Sequence, residues 1–209
     1  MERNDPERTL TLTGEGQVRV KPDVATLSLG VVTNAKSAQE ATAMNGALMT
    51  RVGERVRALG IPSEDLQTVG FNISPVMDWE QGSPTHGQIV GYRVEDTLAV
   101  KCDVAKAGKV LDEGVGAGAN VAGGLSFGLR DEGAYRQRAL QGAVHGARRD
   151  AEVVAGAMGV TLKGVKTAEV MYGGSPVIVR GAVAKSEART PIEPGTLTLS
   201  ASVRLVYLY

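Results

Sequence analysis

Side chains that could do chemistry are sparse in this sequence, and their spacing decides what they could do. The histidines are His86 and His145. His86 falls in a loop-like stretch and His145 in a helical one, and neither has the H-x-x-x-H or H-x-x-E-H partner that would set a metal on one helix face. Solvent or interface roles are expected for both. Cys102 is the single cysteine. It ends an apolar run without a Cys-x-x-Cys partner, so it reads as a buried structural thiol, and it excludes an internal disulfide or a cysteine-rich zinc site. The Asp78-Trp79-Glu80 triplet puts two carboxylates beside an indole, a pattern that suits a cationic or sugar-like ligand. A lone tryptophan in such a loop more often packs on its own strands or anchors an interface. Gly114-Val115-Gly116-Ala117-Gly118 lacks the full G-x-G-x-x-G spacing and follows a helix instead of opening one, so a flexible helix exit is expected there in place of a nucleotide loop. No Walker loop or G-x-S-x-G elbow is expected, and no cofactor is called for.

Composition narrows the partners. The chain has 209 residues, enough for one large domain or two small lobes with a core that needs no metal or disulfide. Its 23 Lys and Arg balance 23 Asp and Glu. A neutral chain offers no field for a phosphate backbone or an anionic membrane, so nucleic acid is not an expected partner. No apolar run approaches the ~20 residues of a membrane span. The start, Met1-Glu2-Arg3-Asn4-Asp5, lacks the apolar stretch of a signal peptide.

The elements that would position these residues follow from periodicity. Alternating Leu10, Leu12, Val18 and Val20, interrupted by Gly14 and Gly16, read as a kinked strand over Thr9 to Val20. Pro22-Asp23 would turn it into a second, more apolar strand from Val24 to Thr33, and the two are expected to form a hairpin. Ser37 and Glu40 have capping-box spacing. The helix they open carries Ala41, Met44, Leu48, Val52, Val56 and Leu59 on its expected core face and ends at Gly60-Ile61-Pro62. Gln67 to Met77 and Gln88 to Cys102 read as a long hairpin around the Trp79 loop. Asp103 is placed to cap a short helix that dissolves in the glycines from Gly114 to Gly118, and Val121 to Leu129 is the next strand. Asp131 is placed to cap the longest helix, where Ala139, Ala143, Ala147, Ala151 and Ala155 repeat every fourth residue and would let a neighbour pack closely. Gly159 ends it, and a strand from Gly164 to Tyr172 follows.

Gly173 to Gly195 has little periodicity and is longer than a connection needs, so it is expected to be either mobile or an interface. The chain then closes on the clearest period-two pattern it has, with Leu197, Leu199, Ala201, Val203, Leu205 and Tyr207 alternating with polar residues. That strand is long enough for part of it to pair beyond its own domain. The fold class is therefore α+β, mainly antiparallel, with two long helices and one short one in the order ββαββαβαββ, and two lobes are compatible with it. A helix leading into a strand recurs at Gly60 and at Gly159, the mark of a faint internal duplication.

Several stretches, in order, resemble the SIMPL-domain (DUF541) family: Val20-Lys21-Pro22-Asp23-Val24-Ala25, Gly60-Ile61 with Asp65-Leu66-Gln67-Thr68, Gly91-Tyr92, Asp112 followed by Gly118-Ala119-Asn120, Phe127, and Pro191-Ile192-Glu193-Pro194-Gly195. The resemblance spans nearly the whole chain. It implies an exported α+β protein of the periplasm or cell envelope that forms homo-oligomers, with links to oxidative stress and without assigned catalytic residues. Members usually begin with a signal peptide, which this start lacks, so a cytoplasmic location stays open. The chain is divided accordingly into an N-terminal tail, 1–8, and a SIMPL-like domain, 9–209, with the 173–195 loop inside it.

The functional expectation is a non-catalytic protein that self-assembles or binds a protein partner. Its expected interface residues are Trp79, His86, Pro176, Ile178, Pro191, Ile192, Leu205 and Tyr207. Two alternatives are a signalling adaptor that adds a partner's strand to a sheet edge, and a cofactor-free enzyme using Asp23, Glu95, Asp96 or Arg93 brought together by folding or at subunit interfaces.

Overall fold

A computed structural model describes residues 7–173, 177–179 and 192–209. Eleven elements follow along the chain: β1 (Thr9–Val20), β2 (Val24–Ala35), α1 (Ala38–Ala58), β3 (Leu66–Met77), β4 (Ile89–Asp103), α2 (Ala107–Ala117), β5 (Val121–Gly128), α3 (Gly133–Met158), β6 (Gly164–Tyr172), β7 (Val177–Val179) and β8 (Thr196–Leu208). Short 3-10 turns at Ser63–Asp65 and Val104–Lys106 precede β3 and α2. The fold is α+β with antiparallel sheets, and its strands divide between two sheets, each in its own compact unit.

The first unit holds β1, α3, β6, β7 and β8. Strand β8 is its centre. It pairs with β1 in an unbroken register from Thr9–Leu208 to Val20–Leu197, and its other edge pairs with β6 and then β7. Among the described residues, the closing strand therefore uses both edges within its own sheet. The expected β1–β2 hairpin does not form either. β1 spends its ladder on β8, and Pro22-Asp23 carries the chain into the other unit.

Helix α3 begins where Asp131 accepts the backbone N–H of Gly133 at 2.8 Å and ends at Gly159 in the left-handed region, φ 67°. Its alanines, Ala139, Ala143, Ala147, Ala151 and Ala155, are all buried. They face β1 at its two glycines. A Cβ on Gly14 would lie 2.0 Å from the Ala143 carbonyl oxygen, and one on Gly16 would lie 1.9 Å from that of Ala139. Gly14 and Gly16 thus do not kink or bulge the strand; they let a helix lie directly on its backbone.

The second unit holds β2 to β5 with α1 and α2. Its sheet runs β3-β4-β2-β5, all neighbours antiparallel. The core lies between that sheet and the helices, around Leu29, Val31, Val52, Val56, Val100 and Val110. Burying side chains of this size contributes roughly 1.5–3 kcal/mol each. Helix α1 starts at Ser37, whose Oγ accepts the Glu40 N–H at 3.2 Å. Its buried face is the expected one, with Ala41, Val52 and Val56 buried and Leu48 and Leu59 against the core, except at one position. Met44 is exposed, and Asn45 is fully buried in its place. Asn45 Nδ2 donates to the carbonyls of Val31 at 2.8 Å and Val94 at 3.2 Å, and Thr33 Oγ1 donates to the Ala41 carbonyl at 2.8 Å. Polar ties between helix and strands, not apolar count, decide that position.

Two further expectations change. Asp103 precedes the 3-10 turn at Val104–Lys106 and makes no capping hydrogen bond through its side chain. Helix α2 does not dissolve at Gly114 but runs through it to Ala117, because Gly114 packs on Leu29, where a Cβ would come within 2.5 Å of Cδ1.

The faint duplication is visible in topology. In each unit a strand, a long helix and two further strands give the same sheet order, β2-β4-β3 in one and β1-β8-β6 in the other. Only β2 has a further neighbour, β5, on its outer edge. Among the described residues no strand pairs with the corresponding edge of β1.

The close helix–strand contact is directly testable. Gly16→Ala should lower stability by about 3 kcal/mol or more in denaturant titration, since a methyl group cannot enter without moving α3. Gly46→Ala, on α1 with nothing within 4 Å, should instead raise it by about 0.5–1 kcal/mol.

Candidate functional site

The singled-out hairpin loop is an ordered turn built around a carboxylate. Asp78 accepts hydrogen bonds from Ser83 Oγ and Thr85 Oγ1, each at 2.5 Å, and from the Glu80 N–H at 2.9 Å. These donors hold its pKa below the usual carboxylate value, Ser83 foremost. Trp79 is 69% exposed and meets His86 edge-on, with ring centroids 5.9 Å apart. The His86 ring nitrogen Nδ1 lies 3.1 Å from the Glu80 carbonyl. Asp78 is thus committed to the turn, and what the loop offers outward is an indole.

The residues of the enzyme alternative do not converge. Arg93 and Glu95 bond to each other, Nε to Oε1 at 2.5 Å, on one face of β4. Asp96 alternates to the opposite face, and Asp23 stands at the far end of the β2–β4 ladder, beyond Val24–Asp103. At ~3.3 Å per residue that is about 25 Å away. Burial raises the Asp96 pKa, partly offset by the Thr97 backbone, and its Oδ1 has no hydrogen-bond partner among the described residues. The Oδ1 of Asn45 is likewise unpartnered there. No group of three or more His, Cys, Asp and Glu side chains among the described residues is placed to hold a metal ion. Cys102 is buried in the core of the second unit. Gly124-Leu125-Ser126-Phe127-Gly128 does have G-x-S-x-G spacing. Ser126 lies mid-ladder opposite Thr26 within β5, not on the strand-to-helix elbow that exposes a nucleophile.

What the molecule presents instead is apolar surface on edge strands. On β3, Val69, Phe71, Ile73 and Val76 are exposed. Phe71 and Ile73 stand opposite Asp96 and Val94, on the helix side of the sheet, but α1 lies over β2 and β4 and scarcely reaches β3. On β6, Val165, Val170 and Tyr172, opposite Tyr207, Val203 and Ala201, are exposed for the same reason, since α3 packs on β1 and β8; Met171, opposite Ser202, is exposed on the other face. Beside α3 this leaves a groove of about 850 Å³, with Leu140 and Val144 on the helix wall and Val170, Val203, Leu205 and Tyr207 on its strand side. Lys163, Arg148 and Glu152 also line it, the last two ion-paired at 2.9 Å.

The expected interface residues fall in different places. Trp79 and His86 are at the hairpin tip. Leu205 and Tyr207 are core residues of the first unit whose side chains also line the groove. Ile192 is half-buried against the core of the second unit and lines a small apolar cavity of about 130 Å³. Ile178 pairs with Leu197 in β7, inside the stretch expected to be a loop. Pro176 and Pro191 lie outside the described residues. Sequence reading missed β3 and β6 as apolar edges, because helical coverage is not a property of a strand's own pattern.

The sequence matches the SIMPL family, described as a protein of unknown function (DUF541), over residues 10–207. This chain belongs to that family. Among its SIMPL relatives, a 26 kDa periplasmic immunogenic protein of Brucella melitensis is 34% identical over 208 residues, 95% of this chain and 83% of that protein. The corresponding Brucella abortus protein is 33% identical over the same shares. The uncharacterised YggE of Escherichia coli K12 is 25% identical over 147 residues, covering 70% of this chain and 58% of YggE. The SIMPL stretch Gly118-Ala119-Asn120 has a structural task here. Asn120 Oδ1 accepts the Val32 N–H at 2.8 Å and its Nδ2 donates to the Val32 carbonyl at 2.7 Å, so one side chain continues the β2–β5 ladder.

The two shifted aspartates have opposite pH signatures. Asp78, with a lowered pKa, stabilises its loop above the ordinary carboxylate value and releases it as pH falls through the folded one. Trp79 emission should therefore change in an acid limb lying below pH ~4, and the limb should vanish in Asp78→Asn. Asp96, with a raised pKa, opposes folding once pH exceeds its ordinary value, an effect complete above the raised one. Asp96→Asn should raise Tm at pH 7, and the gain should shrink toward pH ~3.5. A constant gain across that range would show that the charge is not its cause.

Proposed function

We propose that this chain is a periplasmic protein that works by self-association through its sheet edges and carries out no catalysis of its own. The observation that carries the reading is the placement of its exposed large apolar side chains. Among the described residues, eight of the eighteen lie on β3 and β6, one end strand of each sheet, where helices scarcely reach. Exposed apolar strands with unpaired backbone groups associate with further strands unless something blocks them. The periplasmic location is supported by the names of the Brucella relatives. The dispersal of Asp23, Arg93, Glu95 and Asp96 supports a binding role over an enzymatic one.

Native mass spectrometry of the purified protein tests this. A discrete homo-oligomer at micromolar concentration is expected, and a strict monomer over a wide concentration range overturns the reading. Phe71→Ser and Val170→Ser, both at exposed positions, should leave monomer stability within about 0.5 kcal/mol, and at least one should lower the assembly's mass.

A further inference from the structure

Resting on that self-association, we propose that copies join head to tail by parallel pairing of β1 in one copy with β6 in the next, along the edges of each that no described strand occupies, so that the neighbour's α3 walls off the apolar groove. Three observations in the first unit converge on this contact.

The first is edge quality. Of the four long outer strands, β7 having only three residues, β3, β5 and β6 each carry a register irregularity, at Thr68/Gly70, opposite Thr26/Ser28 and at Val165/Thr167, and β3 also carries Pro75. Such features blunt an edge. β1 alone keeps an unbroken register over its whole length and contains no proline. In the sister sheet the equivalent edge, that of β2, is occupied by β5. The β1 edge is thus the one best formed to receive a strand.

The second observation is steric and selects the strand. The buried face of α3 sits on Gly14 and Gly16, its Leu140 and Val144 flank faces the groove, and its opposite flank, Gly142 and Gly146, lies toward the outer side of β1 near Gly16 and Glu15. An incoming strand at ~4.8 Å therefore enters beneath that flank and must bring no helix directly above it. A second β1 brings its own α3, whereas β6 has no helix above it. Strands ~4.8 Å apart in the order β8-β1-β6-β8-β1 put successive α3 helices about 14 Å apart. The groove lies between them, open before docking and walled on both sides after it.

The third observation is charge order. Glu15 and then Arg19 project from β1 on the helix-free face. On β6, Lys166 is followed by Glu169, which projects on the same face opposite Arg204. Because β1 and β6 both run antiparallel to β8, a head-to-tail contact that continues the sheet pairs them in parallel. The direction is thus set by topology, and charge adds one pair to it: Arg19 can stand opposite Glu169 in the regular part of β6, whereas Lys166 lies in the bulge and already pairs with Glu7 in its own chain.

Cysteine pairing is the test. Arg19→Cys and Glu169→Cys proteins, each oxidised alone and then as a mixture, should form a disulfide dimer only in the mixture, because the native Cys102 is buried. In a second measurement, Glu169→Arg should raise the protein concentration needed for assembly about ten-fold, and adding Arg19→Glu should restore most of it. Dimers of Arg19→Cys alone would show two-fold β1 pairing and overturn the proposal. So would an oligomer of wild-type mass that never cross-links and ignores both charge changes, although self-association itself would then stand. A wild-type monomer would remove both.

Discussion

The contact on which the first unit depends is the seating of α3 on the backbone of β1. A helix ordinarily rests on a sheet through side chains of both layers. Here the sheet contributes Gly14 and Gly16, and the helix contributes an alanine at every fourth position. This brings the two backbones together, buries Gly14 and Gly16 and fixes the helix over one side of a four-strand sheet. The cost of that choice appears on the other side. With α3 held over β1 and β8, β6 keeps apolar residues that no helix covers among the described residues, and a groove opens beside α3. One steric constraint thus explains a buried stripe, an exposed strand and a cavity together.

The second unit solves the same layout with different chemistry. Its long helix is held by Asn45 and Thr33, which bond across the helix–sheet boundary, and a second helix and a fourth strand extend the cover on the β2 side. Buried polar ties of this kind fix rotation and register more tightly than interchangeable apolar contacts, since a misplaced amide would lose both acceptors at once. The price is an unpartnered Asn45 Oδ1. The exposed side of β3 parallels that of β6, so a repeated β-α-β-β plan leaves one uncovered apolar edge strand in each unit.

The SIMPL stretches fit this picture as parts of the frame. Pro22-Asp23 passes the chain between sheets, Gly118 and Asn120 end one helix and start one strand, and Ile192 fills space beside the core of the second unit. Shared residues with such tasks keep an architecture and leave the surfaces to vary. Single surface ion pairs such as Arg148–Glu152 add little stability beside it.

The sequence by itself determined every long element and its type, because period two in β8 and the four-residue alanine spacing in α3 are local signals that no neighbour can reverse. It also determined the end signals at Ser37, Asp131 and Gly159, where the backbone groups to be satisfied lie within a few residues. The β3–β4 hairpin was legible around its loop, but tertiary structure alone decided the distant pairings, since β1 meets β8 across nearly the full chain and no local pattern encodes a partner at that distance. It decided that Asn45 and not Met44 faces the core, because the acceptors that reward the amide belong to β2 and β4. The same holds for the apolar edges: a strand's pattern records which residues it carries, and only the lateral position of a helix decides which of them stay open to a neighbour.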